Sequence, residues 1–305
     1  HSGKALYTVM RRELFFSASL TRRLKAAGAI RMAGAPVFTT HTLLPGETFS
    51  FDLAAAEPPC GLLPERGVLE ILYENEGLLA VNKPAGVLIH PTHTKYTGTL
   101  ANLICGYLAE RGQAPVCHAV NRLDRDTSGA VLFAKNSYAM ERAAAALAEP
   151  AAGKEYLALV YGRFSPDRGI IDLPISRPDA RDQLRIVAPD GQRAVTRYET
   201  LRAGSFSGIP FSMLRLKLET GRTHQIRVHC LTLGHPVLGD GLYRTDASAA
   251  LSQRLGLSTQ ALHAERLSFT DFLTGEAVTV SAPIRREEII AASSRLWTID
   301  LPGAP

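Results

Sequence analysis

No apolar run in the sequence approaches the roughly 18 residues of a membrane span, and no signal-peptide pattern opens it, so the expected location is cytoplasmic. Cysteine is scarce: Cys60, Cys105, Cys117 and Cys230 lie far apart, without a C-x-x-C spacing. That argues against both a zinc knuckle and a disulfide framework. Neither a Walker A loop nor G-x-G-x-x-G occurs, so nucleotide hydrolysis and dinucleotide chemistry lack their phosphate-binding signatures. G-x-S-x-G is missing too, which weakens a serine-hydrolase reading. Four histidines, His224, His229, His235 and His263, follow one another late in the chain, but H-E-x-x-H is absent and no carboxylate separates the first pair. No metal site is expected from them. No internal repeat is evident.

What is present is a globular composition of 46% hydrophobic residues in 305 positions, enough chain for one large domain or a large and a small one. Its most informative stretch is 118–136, HAVNRLDRDTSGAVLFAKN. Asp124 and Asp126 stand between and beside Arg122 and Arg125, a Thr127-Ser128-Gly129 bend follows, and 130–134 is purely apolar. That run reads as a strand buried on both faces. Carboxylates fixed beside it must be solvated or paired, so Asp124 calls for a cationic partner elsewhere in the chain. Two carboxylates two apart could imitate the acid pair of a glycoside hydrolase, but adjacent side chains on one extended segment straddle a sugar poorly. Asp126 is assigned to bracing the bend and Asp124 to chemistry.

Charge is concentrated at the beginning. Residues 1–53 carry seven Lys or Arg against three acids, a surplus of four out of the chain's five. Within this segment Ser19 is read as the cap of a helix whose Leu20, Leu24 and Ala27 share one face, leaving Arg22, Arg23 and Lys25 outward. Strands are expected around Arg31, at 37–43 and at 49–51, with a turn at Ala33-Gly34. This arrangement resembles the αL-type RNA-binding domain of a small-subunit ribosomal protein and of many rRNA-modifying enzymes, which implies Arg22, Arg23, Lys25 and Arg31 as RNA contacts. Residues 54–67, rich in Pro and Gly, are read as a linker, and 68–305 as the second domain.

There the pattern predicts a hairpin over 69–81, then NKPAGVLIHP at 82–91, which sets Lys83 on a stiff loop. A helix capped by Thr99, an Ala-rich helix from Ser137, and a strand from Lys154 with Tyr156, Ala158 and Val160 on one face come next. Residues 165–193 read as irregular excursions carrying Arg177, Arg181, Arg185 and Arg193, followed by strands at 194–201 and 211–219. In ETGRTHQIRVH, 219–229, Thr223 is a fair cap for a helix over 224–231 that points Arg227 back at the sheet edge. Strands near 267–269 and up to Val280, and a closing helix over 285–297, complete the pattern.

The blocks at 82–91, 121–129, 154–156, 221–229, 234–240 (GHPVLGD) and 262–269 (LHAERLSF) resemble, in order and spacing, those of the RluA-type pseudouridine synthases. The resemblance spans nearly the whole chain, with Asn121 standing where the family usually has His, and Asp271-Phe272 where His-Pro is common. It implies an α+β catalytic domain on a long, mostly antiparallel mixed sheet, with flanking helices and a central cleft. It further implies Asp124 as the carboxylate that attacks or deprotonates the target nucleoside, Arg227 as its ion-pair partner, and Tyr156 as the ring stacked on the uracil. Arg122 would fill the gap left by a flipped base, and Leu262 and Lys83 would bind substrate. The implied partner is RNA, large-subunit rRNA or tRNA, acted on by a monomer without cofactor. A non-catalytic RNA-binding or ribosome-assembly protein, and a hydrolase releasing free uracil, are the alternatives.

Overall fold

The computed structural model describes residues 1–58, 61–179 and 183–284. The first unit is α1 (Leu6–Arg12), α2 (Ala18–Ala26) and a small antiparallel sheet of β1 (Ile30–Met32), β2 (Ala35–Pro36) and β3 (Phe49–Phe51), with β1 in the middle. Leu6, Met10, Leu20, Leu24 and Ile30 form its buried core. Ser17 rather than Ser19 caps α2, accepting from the Leu20 N–H; Ser19 lies inside the first turn, where its Oγ accepts from Arg23. The strand expected at 37–43 is absent. Pro36 offers no N–H to continue the ladder, and the chain turns instead to accept the first amides of α1: Tyr7 N–H donates to Thr39 O and Leu6 N–H to His41 O. Ala56, within the expected linker, is buried in the same core, and its carbonyl accepts from Arg23 Nε at 2.8 Å.

The larger unit runs β4 (Ile71–Glu74), β5 (Leu78–Lys83), α3 (Leu100–Glu110), β6 (His118–Ala119), β7 (Ser128–Ala134), α4 (Ser137–Ala148), β8 (Gly153–Tyr161), β9 (Arg168–Asp172), β10 (Ile175–Ser176), β11 (Ile186–Val187), β12 (Val195–Phe206), β13 (Ile209–Leu218), α5 (Gln225–Thr232), α6 (Asp246–Arg254), β14 (Leu262–Thr270) and β15 (Ala277–Ser281). One ten-stranded sheet dominates, in the order β4-β5-β7-β14-β8-β13-β12-β9, with β15 beside β14 and β6 beside β7. Among the described residues every pairing in this sheet is antiparallel except β7 with β14. This is the α+β, mostly antiparallel mixed architecture expected.

The apolar run at 130–134 is explained by burial on both faces. Ala130, Leu132 and Ala134 pack with Ala139, Ala143 and Leu147 of α4, whereas Val131 and Phe133 pack with Leu100, Ile104 and Leu108 of α3. With period-two alternation, a helix on each side leaves no face for a polar residue. Thr99 caps α3 as expected, and Asn136, one residue before Ser137, caps α4. The excursions at 165–193 contain the short β9, β10 and β11. The closing helix expected at 285–297, and Arg181, lie outside the described residues.

Candidate active site

The segment between β6 and β7 is fastened from several sides. Asn121 accepts from the Leu132 N–H at 2.7 Å and donates to Ala130 O at 3.3 Å, tying the segment to β7. Thr127 N–H closes a turn on the Asp124 carbonyl at 3.2 Å. The Arg125 carbonyl accepts from Lys83 Nζ at 2.7 Å and from Gly86 N–H at 2.9 Å. Lys83, fully buried, also donates to the carbonyls of Pro84 and Val87. Its ammonium therefore ties two loops together inside the protein and does not line the cleft. Asp126 is likewise not the brace of the bend: its carboxylate takes both Nε and Nη2 of Arg125 at 3.0 Å.

From the other side comes α5. Its entry differs from the expected Thr223 cap: His224 occupies the capping position in the left-handed region, φ 57°, and caps with no side-chain bond. Gln225 holds this turn instead. Its Oε1 accepts from Thr220 Oγ1 and Arg222 N–H at 2.9 Å, and its Nε2 donates to Val195 O and Thr196 Oγ1 at 3.0 Å. All four polar valences of the amide are used, which locks the loop onto β12.

That lock aims Arg227 at the aspartate. Arg227 Nη1 donates to Asp124 Oδ2 at 2.8 Å, while its Nε and Nη2 form a bidentate pair with Asp240 at 2.6 and 2.8 Å. Asp240, whose side chain is wholly buried, also accepts the amides of Leu242 and Tyr243. The guanidinium is thus fixed at one end so that the other can hold Asp124, whose side chain is 25% exposed. Burial works against the charge on Arg227, but the bonds and charges of Asp240 and Asp124 outweigh it and raise its pKa. Tyr243 lies under the guanidinium, 4.9 Å from ring centre to Cζ, and its hydroxyl shares a 2.9 Å hydrogen bond with His224 Nδ1. His224 Nε2 faces Asp124 Oδ1 at 3.8 Å. Burial pushes His224 below the ordinary imidazole pKa; the Asp124 charge opposes this, and Arg227 and Arg185 reinforce it.

Asp124 opens into a cleft of about 1250 Å³ that Arg122, Leu123, Lys154, Tyr156 and Arg222 also line. Tyr156, on β8, is pushed above the ordinary phenol pKa by burial and then by the Asp124 charge, so it stays protonated. Burial lowers Lys154. A quarter-exposed carboxylate held by a fixed guanidinium, beside an aromatic wall and a basic rim, can present a nucleophile or base to a flat ring delivered on a polyanion.

Of the residues singled out from sequence, Asp124, Arg227, Tyr156 and Arg122 converge here. Leu262 does not line the cleft: it lies opposite Ala158 in the β14–β8 ladder and belongs to the same buried cluster as Tyr156. Arg22, Lys25 and Arg31 are exposed on the first unit, whereas Arg23 is engaged with Ala56 and Ser19. The histidines are dispersed into separate bonds: His229 donates to Leu173 O, His235 bonds to Tyr161 O, and His263 to Ala282 O. Sequence reasoning missed Asp240, Tyr243, Gln225 and the bonds of Asn121. The sequence signal was generic: an arginine paired with one carboxylate oxygen has donors to spare, which calls for a further acceptor without saying which residue supplies it.

A family model described as RNA pseudouridylate synthase matches residues 77–232. The chain is 34% identical over 281 residues to the uncharacterized RNA pseudouridine synthase YhcT of Bacillus subtilis, covering 92% of this chain and 90% of that protein. It is 35% identical over 260 residues to ribosomal large subunit pseudouridine synthase D of Zymomonas mobilis, covering 83% and 79% respectively. Among solved structures, human RNA pseudouridylate synthase domain containing 1 superposes with a TM-score of 0.59 at 31% identity, over 72% of this chain and 86% of that one.

Proposed function

We infer, for a chain that belongs to the RNA pseudouridylate synthase family, that this enzyme isomerises uridines of large-subunit ribosomal RNA with Asp124 at the centre of the reaction. The observation that carries the reading is the Asp124–Arg227 pair, 2.8 Å apart at the cleft beside Tyr156. Synthase D of Zymomonas mobilis, named for the ribosomal large subunit, supports the choice of RNA.

In this reading the target uridine is flipped out of its helix, with Arg122 entering the gap. Asp124 attacks or deprotonates the nucleoside, the bond from uracil N1 to the ribose breaks, and the base turns against Tyr156. A new bond forms from C5 to the same ribose carbon. The C5 proton passes to solvent and N1 regains one, so the reaction needs no co-reactant. Residues 1–53 act as an RNA-binding domain through Arg22, Lys25 and Arg31, with Arg23 partly committed to holding the chain beyond the domain. The enzyme works as a monomer in the cytoplasm.

The test uses large-subunit rRNA transcript tritiated at uridine C5. Tritium release by the native protein, abolished in Asp124→Asn and without free uracil, is expected. Released uracil would make the protein a hydrolase, and salt-sensitive binding without release a non-catalytic RNA-binding protein.

A further inference from the structure

A second pocket, of about 440 Å³, adjoins the cleft and shares Arg122, Gly221, Arg222 and Thr223 with it. That volume lies within the about 300–1,000 Å³ typical of small-ligand sites. Its lining is unlike that of the cleft. Among the described residues its lining holds four arginines, Arg122, Arg177, Arg185 and Arg222, against one carboxylate, Asp190, and no aromatic ring. Nucleobases are held by stacking on flat side chains and by hydrogen bonds to their edges, whereas phosphates are held by Arg and Lys. A wall rich in guanidinium groups and without a ring suits a backbone linkage.

The pocket is also built, rather than a chance gathering of surface side chains. Ile175 and Ser176 of β10 line it together with the 190–192 turn, and the two are bound by reciprocal bonds: Ile175 N–H donates to Gln192 O at 2.9 Å and Gln192 N–H to Ile175 O at 2.8 Å. A Cβ at Gly191 would fall 2.6 Å from the Ile175 carbonyl carbon, so the close approach requires glycine there. Arg222 Nε is fixed by Arg193 O at 3.1 Å. The Arg185 N–H donates to Tyr243 Oη at 2.7 Å, and the same hydroxyl bonds to His224, which faces Asp124. One wall of the pocket is therefore anchored to the cluster that holds the catalytic carboxylate.

We propose that this pocket is a phosphodiester subsite, in which Arg177, Arg185 and Arg222 grip the substrate RNA backbone within a few linkages of the flipped nucleotide, with Arg122 on the shared rim left for the gap in the helix. The proposal rests on the isomerase reading for the identity of the polyanion. The shared rim gives it a purpose: a strand whose base enters the cleft must carry its phosphates out over Arg222 and Arg122. Anchoring the linkage there would fix how far the base can reach toward Asp124.

The experiment measures binding of a target-containing rRNA hairpin against KCl concentration for the full chain, Arg177→Gln, Arg185→Gln and the double variant, with Arg66→Gln, which lines neither pocket, as control. The slope of log affinity against log salt should fall by about 1 for each pocket arginine lost and stay unchanged for Arg66→Gln. Hairpins carrying single neutral methylphosphonate linkages are then scanned. One linkage near the target should weaken binding to the native protein, and that penalty should vanish in the double variant, as coupling between the two sites requires. An unchanged slope, or a penalty that persists in the double variant, overturns the subsite. Should Arg185→Gln fail to fold, the exposed Arg177→Gln alone gives the same two readouts and can overturn the proposal by itself. Coupling observed together with absent tritium release from the native protein would leave the subsite standing and remove the isomerase reading instead.

Discussion

Asp240 is the residue on which the reach of Arg227 depends. Its wholly buried carboxylate takes two of the guanidinium's three donor nitrogens, leaving Nη1 for Asp124. Asp240→Asn keeps the shape but leaves Arg227 with a neutral partner in a dry site. Breaking a buried pair typically costs about 3–5 kcal/mol. The expected outcome is a lower melting temperature and a kcat that falls more than KM rises, because the lost orientation acts on Asp124, the carboxylate proposed to react. Unchanged kinetics in a folded variant would show that Asp124 alone can position Arg227. Asp124 and Arg227 could be read from the sequence because their local blocks are distinctive. Asp240 and Tyr243 could not be assigned roles, since a partner 13 or more positions away is chosen by the fold.

At the scale of elements, the parallel pairing of β7 with β14 determines where the Asp124 turn meets the core. Gly129 is paired with Ala264, has φ 115°, and would place a Cβ 2.2 Å from the Ala264 carbonyl oxygen. Gly129→Ala should therefore cost more than the about 1–3 kcal/mol of backbone strain alone, and either prevent folding or separate the strands, as urea denaturation would read. A much milder loss, about 1 kcal/mol, is expected for Thr99→Ala, which removes one half of the capping box on α3 and touches nothing in the cleft. Its tritium release should equal that of the native protein. Caps, turns and doubly buried strands are local, which explains why Thr99, the hairpin at 69–81 and the 130–134 strand were legible. The strand expected at 37–43 was not formed because a tertiary contact with α1 claimed its carbonyls.

For the whole molecule, the two units are joined by side chains that neither could pair alone. Tyr138 of α4 meets Phe16 of the first unit edge-on at 4.7 Å, and Glu57 accepts from Ser137 N–H and Oγ and bonds to His118. Acid should loosen the assembly. Burial lowers His90, and burial is also the main cause lowering His224 and His229, so the unfolded chain binds protons at a higher pH than the folded one. Stability from these neutral imidazoles is complete above about pH 6.5 and is lost as pH falls toward their folded values. Glu57 adds a second loss at lower pH. Burial opposes its charge, but bonds from His118 and Ser137 hold its pKa below the usual 4.5, so its contribution is present above that value and disappears beneath it. The melting temperature should thus drop between about pH 7.5 and about pH 5.5 and drop again near about pH 4. A flat profile over the first interval would show that the buried histidines are protonated without penalty.

The sequence by itself determined the chemistry-bearing blocks, the charge of the first 53 residues and the two-sided burial of β7, because each is written in neighbouring residues. Only the tertiary structure decided which charges meet. Asp124 and Arg227 are 103 positions apart, and Lys83, placed by sequence near the substrate, proves to be buried among carbonyls. The physical reason is the same in both cases. A long charged side chain goes wherever the folded chain offers enough partners to offset its desolvation, and those partners come from several strands and loops at once.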